Sequence, residues 1–383
     1  MDRTSIPSTS GPPSGGGRVD AIDFWRGVVL CTIFVDHVPG NLFERLTFRN
    51  FGFSDGAEAF VFLSGISLWL AHGRRFAAGR VAPVLAGLRR RVVKLYAAHL
   101  GLSAAGLAIF AIGAALFPDT GLMEPHGREL AVDDPFAALI GVLSLGHQFG
   151  YFNILPTYVV LLAFVPALLW IARFGLAAML GASFLLYLAA QIFVLGVPTW
   201  PMRGQWFLDP FAWQFLMAIG MAAAARMSRP AGLVALPPLL GAAGAAVGVG
   251  LACGTDGFGL VPGLGDAARG ALDLDKTQLG AGRLIHFLAL AYLVAALPLP
   301  RRVTAGALYG KLCRLGRHGL FGFATVSLLA AVGQVITEGL GHSIMLDGLV
   351  VGLGLALTVA SAGWIELPSR LPRVLLAGAG PRR

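Results

Sequence analysis

The stretch DAIDFWRGVVLCTIFVDHVPG, residues 20–40, decides the fold. It is apolar enough to cross a bilayer, yet it carries Asp23, Arg26, Asp36 and His37. At about 100° per residue, the eleven steps from Arg26 to His37 end about 20° past three full turns. Both side chains therefore leave the helix on nearly one face, about 16 Å apart along its axis. Ionisable groups at membrane depth are costly, and the usual reason to keep them is a site or a polar path. The stretch predicts an integral membrane protein with internal chemistry.

Composition extends this reading to the whole chain. Hydrophobic residues make up 56 % and charged residues 13 %, against roughly 45–50 % and about 25 % in a soluble domain. So much apolar surface in 383 residues requires lipid as solvent, and the expected class is an all-α, polytopic helical bundle. Cys31, Cys253 and Cys313 are too few and too scattered for a disulfide framework or a metal cluster, and no metal is expected. Residues 1–20 are rich in Ser, Pro and Gly and are expected to be a disordered cytoplasmic lead-in. No apolar run precedes residue 22 that could serve as a cleaved secretory signal. Residues 21–366 form the expected transmembrane domain, and residues 367–383 a basic cytoplasmic tail.

Hydropathy marks about ten spans: 22–39, 57–72, 92–117, 155–173, 174–196, 212–227, 232–252, 283–299, 318–339 and 347–365. The segment 136–150 is too short and too Gly-broken to cross, and reads as an interfacial or re-entrant helix. With the N-terminus inside, the cytoplasmic loops collect the dense basic runs 74–94, 301–317 and 370–383. The external loops hold only Arg45, Arg49, Arg128, Arg203, Arg269 and Lys276 among many acidic residues. This positive-inside bias calls for an even number of spans, with both termini cytoplasmic. The net charge of +9 is then mostly topology, and no nucleic-acid partner is expected.

Charged residues within this frame are the candidate chemistry. Asp23 can pair with Arg26 one helical turn away, and a structural ion pair beside a helix-end His37 is the plain alternative to a site. Glu58 opens the second span at a depth close to Asp36 and His37, where a carboxylate could orient the imidazole and raise its basicity. Ser64–Gly65 is explained either by close packing or by a thin ligand. On the cytoplasmic side, Arg74, Arg75, Arg91, Lys94 and, deeper, His99 serve either topology or the binding of a polyphosphate. On the external side, His147, Tyr151, Asp209, Trp213 and Gln214 lie in aromatic- and amide-rich stretches. These read either as a membrane-interface belt or as a sugar-binding surface.

The strings DFWRGVVLCTIFVDHVPGN, AEAFVFLSGIS, RRRVVKLYAAHL, LPTYVVLL, DPFAWQFLMAIG and GRHGLFGF closely resemble the OpgC family over about residues 20–365. Arg26 and His37 also match the Arg-x10-His signature of the wider transmembrane acyltransferase-3 superfamily. Arg74–Arg75 and Arg89–Arg91 occupy the region of that superfamily's double-arginine element without its Arg-x-x-Arg spacing. The resemblance implies a cell inner-membrane enzyme that succinylates osmoregulated periplasmic glucans. It implies a cytoplasmic acyl-CoA, succinyl-CoA, as donor, a glucan hydroxyl as acceptor, and the glucan-synthesis machinery as a possible partner. On this expectation His37 is the general base, oriented by Asp36 or Glu58, and Arg26 stabilises the donor or its channel. Arg74, Arg75, Arg91, Lys94 and His99 hold the donor; His147, Asp209, Trp213 and Gln214 receive the acceptor. The rival reading is a secondary transporter with an intramembrane proton path.

Overall fold

In the computed structural model, residues 20–227, 236–257, 259–297 and 299–370 are described, and the expected lead-in and tail fall almost wholly outside them. Among these residues the chain is helical, with a single isolated bridge between Pro198 and Gln205 in place of any strand. Its main helices are α1 (Asp20–Asp36), α2 (Gly56–Leu68), α3 (Val81–Leu116), α4 (Pro135–Leu143), α5 (Ile154–Ile171) and α6 (Leu176–Phe193). They continue with α7 (Pro210–Met227), α8 (Pro237–Gly254), α9 (Ala281–Ala296), α10 (Ala307–Arg317), α11 (Gly319–Leu340) and α12 (Ile344–Arg370). Each hydropathy span falls on one of these helices. Six helical stretches among the described residues are long and apolar enough to cross a membrane: Val81–Leu116, Ile154–Phe174, Leu176–Phe193, Pro237–Gly254, Gly319–Leu340 and Ile344–Trp364.

Local chemistry sets the helix ends. Asp55 caps α2 by accepting from the Ala57 N–H at 2.8 Å, and Glu58 returns a bond to the Asp55 N–H at 2.8 Å. This reciprocal pair is a capping box. Asn41 closes α1, donating to the carbonyls of Val35 and Val38 while accepting from the N–H groups of Phe43 and Glu44. The 136–150 segment keeps helix only to Leu143 before turning into loop. Past Leu68, α2 runs through a π turn, Trp69–Gly73, into Arg74–Ala77. The 36 residues of α3 extend about 54 Å, well beyond a hydrocarbon core of about 30 Å, so its basic first turns project past the apolar layer.

Packing places α1 at the centre, against α10, α11 and α2, while α2 lies along α7 and α3 joins α5 to α11. Leu30, Phe34, Val61, Leu161, Trp213 and Phe323 are fully buried in this core. Small residues let the backbones meet: a Cβ on Gly27 would strike the Leu312 carbonyl, and one on Gly316 the Asp23 carbonyl. The C-terminal ends of α1, α3 and α11 and the N-terminal ends of α2, α5 and α9 share one face; the basic 74–94 and 301–317 runs lie on the other.

Candidate functional site

A cavity of about 900 Å³ opens on the face that carries the end of α1. Asp36 and His37 line it, with Ile33 and Phe323 deeper and the loop residues His126, His147, Tyr151 and Arg203 around it. The last residue of α1 and the one after it thus bring the quoted stretch to the cavity wall.

His37 is positioned from several elements. Its carbonyl accepts from Gln334 Nε2 of α11 at 2.6 Å. Its ring packs on Tyr151 with centroids 4.7 Å apart, and Tyr151 packs in turn on His126 at 5.2 Å. Nδ1 is buried without a hydrogen-bond partner. His126 and Tyr151 both have left-handed backbones, with φ of 62° and 32°, a strain that tends to gather at functional sites. Asp36 accepts from Thr47 Oγ1 at 2.5 Å, which aims its carboxylate at the loop after α1.

Glu58 does not orient His37 as the sequence suggests. It is fully buried, accepting from Arg283 Nε at 2.6 Å through Oε1 and from the Asp55 N–H through Oε2. Arg283 also binds Asp55 at 3.0 Å, and Lys276 Nζ reaches the same carboxylate at 2.5 Å. Burial alone would raise the Asp55 pKa, but Lys276 and Arg283 outweigh it and hold the carboxyl well below its usual range. Two cations and two carboxylates thus knit the start of α2 to the start of α9 along the cavity wall. The sequence offered one signal for this cluster: Asp55 and Glu58 at capping-box spacing, with Arg283 at the end of another span.

Arg26 shares the α1 face of His37 but is not among the cavity-lining residues. Its guanidinium donates to Asp23 at 3.3 Å, to the carbonyls of Gly316 and Leu63 at 3.3 and 3.2 Å, and to Ser67 Oγ. It clamps α1 to α2 and α10. His99 is buried, its Nε2 3.2 Å from the Val142 carbonyl. Arg74, Arg75, Arg91 and Lys94 are exposed on the opposite face. His72, in the π turn, lies within electrostatic reach of Arg75 and Arg91, and Arg91 Cζ is 5.9 Å from the Tyr158 ring centroid.

Of the four residues expected to receive an acceptor, only His147 lines the cavity, with Nε2 2.9 Å from the Gly127 carbonyl. Burial pushes its imidazole below the usual range. Trp213 is fully buried and donates from Nε1 to the carbonyls of Lys276 and Thr277. Gln214 is also buried, exchanging bonds with Ser183 that tie α7 to α6. Asp209 accepts from the Ala212 N–H at 3.0 Å at the start of α7, and burial lifts its carboxyl to about 6. Trp213 anchors the loop before α9, Gln214 ties α7 to α6, and Asp209 caps α7. Tyr151, His126, Arg49 and Arg203 are among the polar side chains that the cavity gathers instead.

Fold and site together point to a helical membrane protein with a cavity at one face and the dense basic runs at the other. The family described as OpgC protein matches residues 18–370, and the chain belongs to that family. Membership points to a membrane acyltransferase-type function. No curated protein and no solved structure matches the chain.

Proposed function

We propose that this protein is an O-acyltransferase of a bacterial inner membrane, moving a succinyl group from cytoplasmic acyl-CoA to a hydroxyl of a periplasmic glucan. The single observation that carries the reading is His37: an imidazole on the wall of a large cavity, on the far side of the bundle from the exposed Arg74, Arg75, Arg91 and Lys94. On this reading about ten helices span, both termini are cytoplasmic, and the cavity faces the periplasm, in line with the positive-inside rule.

His37 takes the proton of the acceptor hydroxyl as its oxygen attacks the thioester carbonyl. The C–O bond forms, the C–S bond breaks, and His37 returns the proton to the departing thiolate, leaving ester and free CoA. General-base help of this kind contributes about 10²–10⁴-fold. The Tyr151 ring and the Gln334 bond to the His37 carbonyl keep the base oriented. Arg74, Arg75, Arg91 and Lys94 suit the donor's phosphates, because arginine binds phosphate in bidentate fashion. The buried roles of Trp213, Gln214 and Asp209 leave the acceptor to the loops around His147, Tyr151 and Arg203.

Mass spectrometry of periplasmic glucans from cells with and without the gene tests the proposal. A succinyl increment that disappears with the gene supports it. Identical glucans, with solute accumulating unmodified in vesicles of the purified protein, would favour a transporter instead.

A further inference from the structure

We infer that the thioester arm of the donor reaches the cavity along an aromatic seam between α3, α5, α2 and α11, with Tyr158 as its gate. This rests on the acyl-transfer reading and names the residues that reading would need inside the membrane.

The α1 face is a poor route. Arg26 is bonded into three helices, and the Gly27 and Gly316 contacts bring the α1 and α10 backbones together without room for a ligand. A second line of contacts joins the basic face to the cavity. Arg91 Cζ on α3 lies 5.9 Å from the Tyr158 ring on α5. Tyr158 lies 5.8 Å from Phe60 on α2, and Phe60 lies 5.9 Å from Phe323 on α11. Phe323 itself lines the cavity that holds His37. Two side chains, Tyr158 and Phe60, thus bridge the gap between the exposed Arg91 guanidinium and Phe323 at the deep end of the cavity.

Tyr158 is only 2 % exposed, and its hydroxyl is buried with no hydrogen-bond partner. Buried hydroxyls are nearly always satisfied, and an exception asks for an explanation. A carbonyl of a pantetheine amide or of the thioester is the acceptor that this O–H lacks. The arm is thin and flexible, so rotation of Tyr158 and Phe60 admits it without moving a helix. At the entrance, His72 in the π turn lies within electrostatic reach of Arg75 and Arg91, which places three basic side chains where the donor's phosphates would stop. Tyr158 is therefore a substrate-positioning residue that closes the seam when no arm fills it.

The test uses the purified full-length protein in lipid nanodiscs, with CoA binding measured by calorimetry and succinyl transfer to glucan by mass spectrometry. Y158F should raise the KM for succinyl-CoA about fivefold or more, and Y158W should cut transfer at least about tenfold. Both should keep the Kd for adenosine bisphosphate, which has the phosphates but no arm, within about twofold, because the phosphate-binding entrance is untouched. In a chain with Cys31, Cys253 and Cys313 replaced by Ala, Y158C should be alkylated by a maleimide more slowly when succinyl-CoA is present. Adenosine bisphosphate, which lacks the arm, should give no such protection. Unchanged transfer in both Y158F and Y158W, with the Y158C thiol alkylated equally fast with and without succinyl-CoA, overturns the seam while leaving acyl transfer standing. Wild-type protein that neither binds CoA nor modifies glucan overturns the acyl-transfer reading and the seam with it.

Discussion

His37, Glu58 and Asp209 each show how a side chain's surroundings decide its work. The spacing from Arg26 to His37 was legible because helical period is a local property. Glu58 was not, because its partner Arg283 is 225 positions away and nothing in a period of 3.6 reports a contact across the bundle. Removing one member of a buried ion pair strands the other charge at a cost of about 3–5 kcal/mol. R283A should therefore unfold at markedly lower temperature, and the double change E58Q/R283Q should recover part of the loss. An R283A melting curve equal to wild type would contradict the pairing. Asp209 carries a pH signature. Its folded pKa is raised to about 6 by burial, against about 3.9 in an unfolded chain. The folded state therefore binds the extra proton between those values, so its contribution falls as pH rises from about 4 to about 6 and is level above. The melting-temperature difference between wild type and D209N should follow that course; a difference independent of pH would contradict it.

Elements are legible where length and apolar content decide, and less so where packing does. Apolar runs place the helices, and the Gly-broken 136–150 segment ends its helix at Leu143, but the π turn at Trp69–Gly73 leaves no mark in the apolar pattern. Trp213 and Gln214 read as an acceptor surface in the sequence because aromatics and amides suit both sugar binding and helix clamping. Their burial against Thr277 and Ser183 selects the second. Helix α10 supplies an internal comparison. A Cβ on Gly316 would run into the Asp23 backbone, whereas Gly310 has open space around it. G316A should cost about 1–3 kcal/mol through overpacking and loosen the Arg26 bond to the Gly316 carbonyl. G310A should be neutral or stabilise by up to about 1 kcal/mol, as Gly-to-Ala changes do inside helices. Thermal unfolding of the two full-length variants, compared with wild type, decides; equal midpoints would contradict the close crossing of α1 and α10.

For the whole molecule, the arrangement of charge and cavity is what links fold to function. Dense arginine runs gather on one face, and the cavity with His37 opens on the other. Single cysteines introduced at exposed Arg75 and Arg203, with the native cysteines replaced, should label from opposite sides of intact spheroplasts: position 203 by an impermeant reagent added outside, position 75 only after lysis. Labelling of both from outside would overturn the orientation. The direct test of the central claim places the protein in vesicles with succinyl-CoA on the arginine side and glucan on the cavity side. Mass spectrometry of the glucan should show a succinyl increment with wild-type protein and a rate lowered at least about 10²-fold with H37Q. A glucan succinylated equally fast by H37Q would contradict the account.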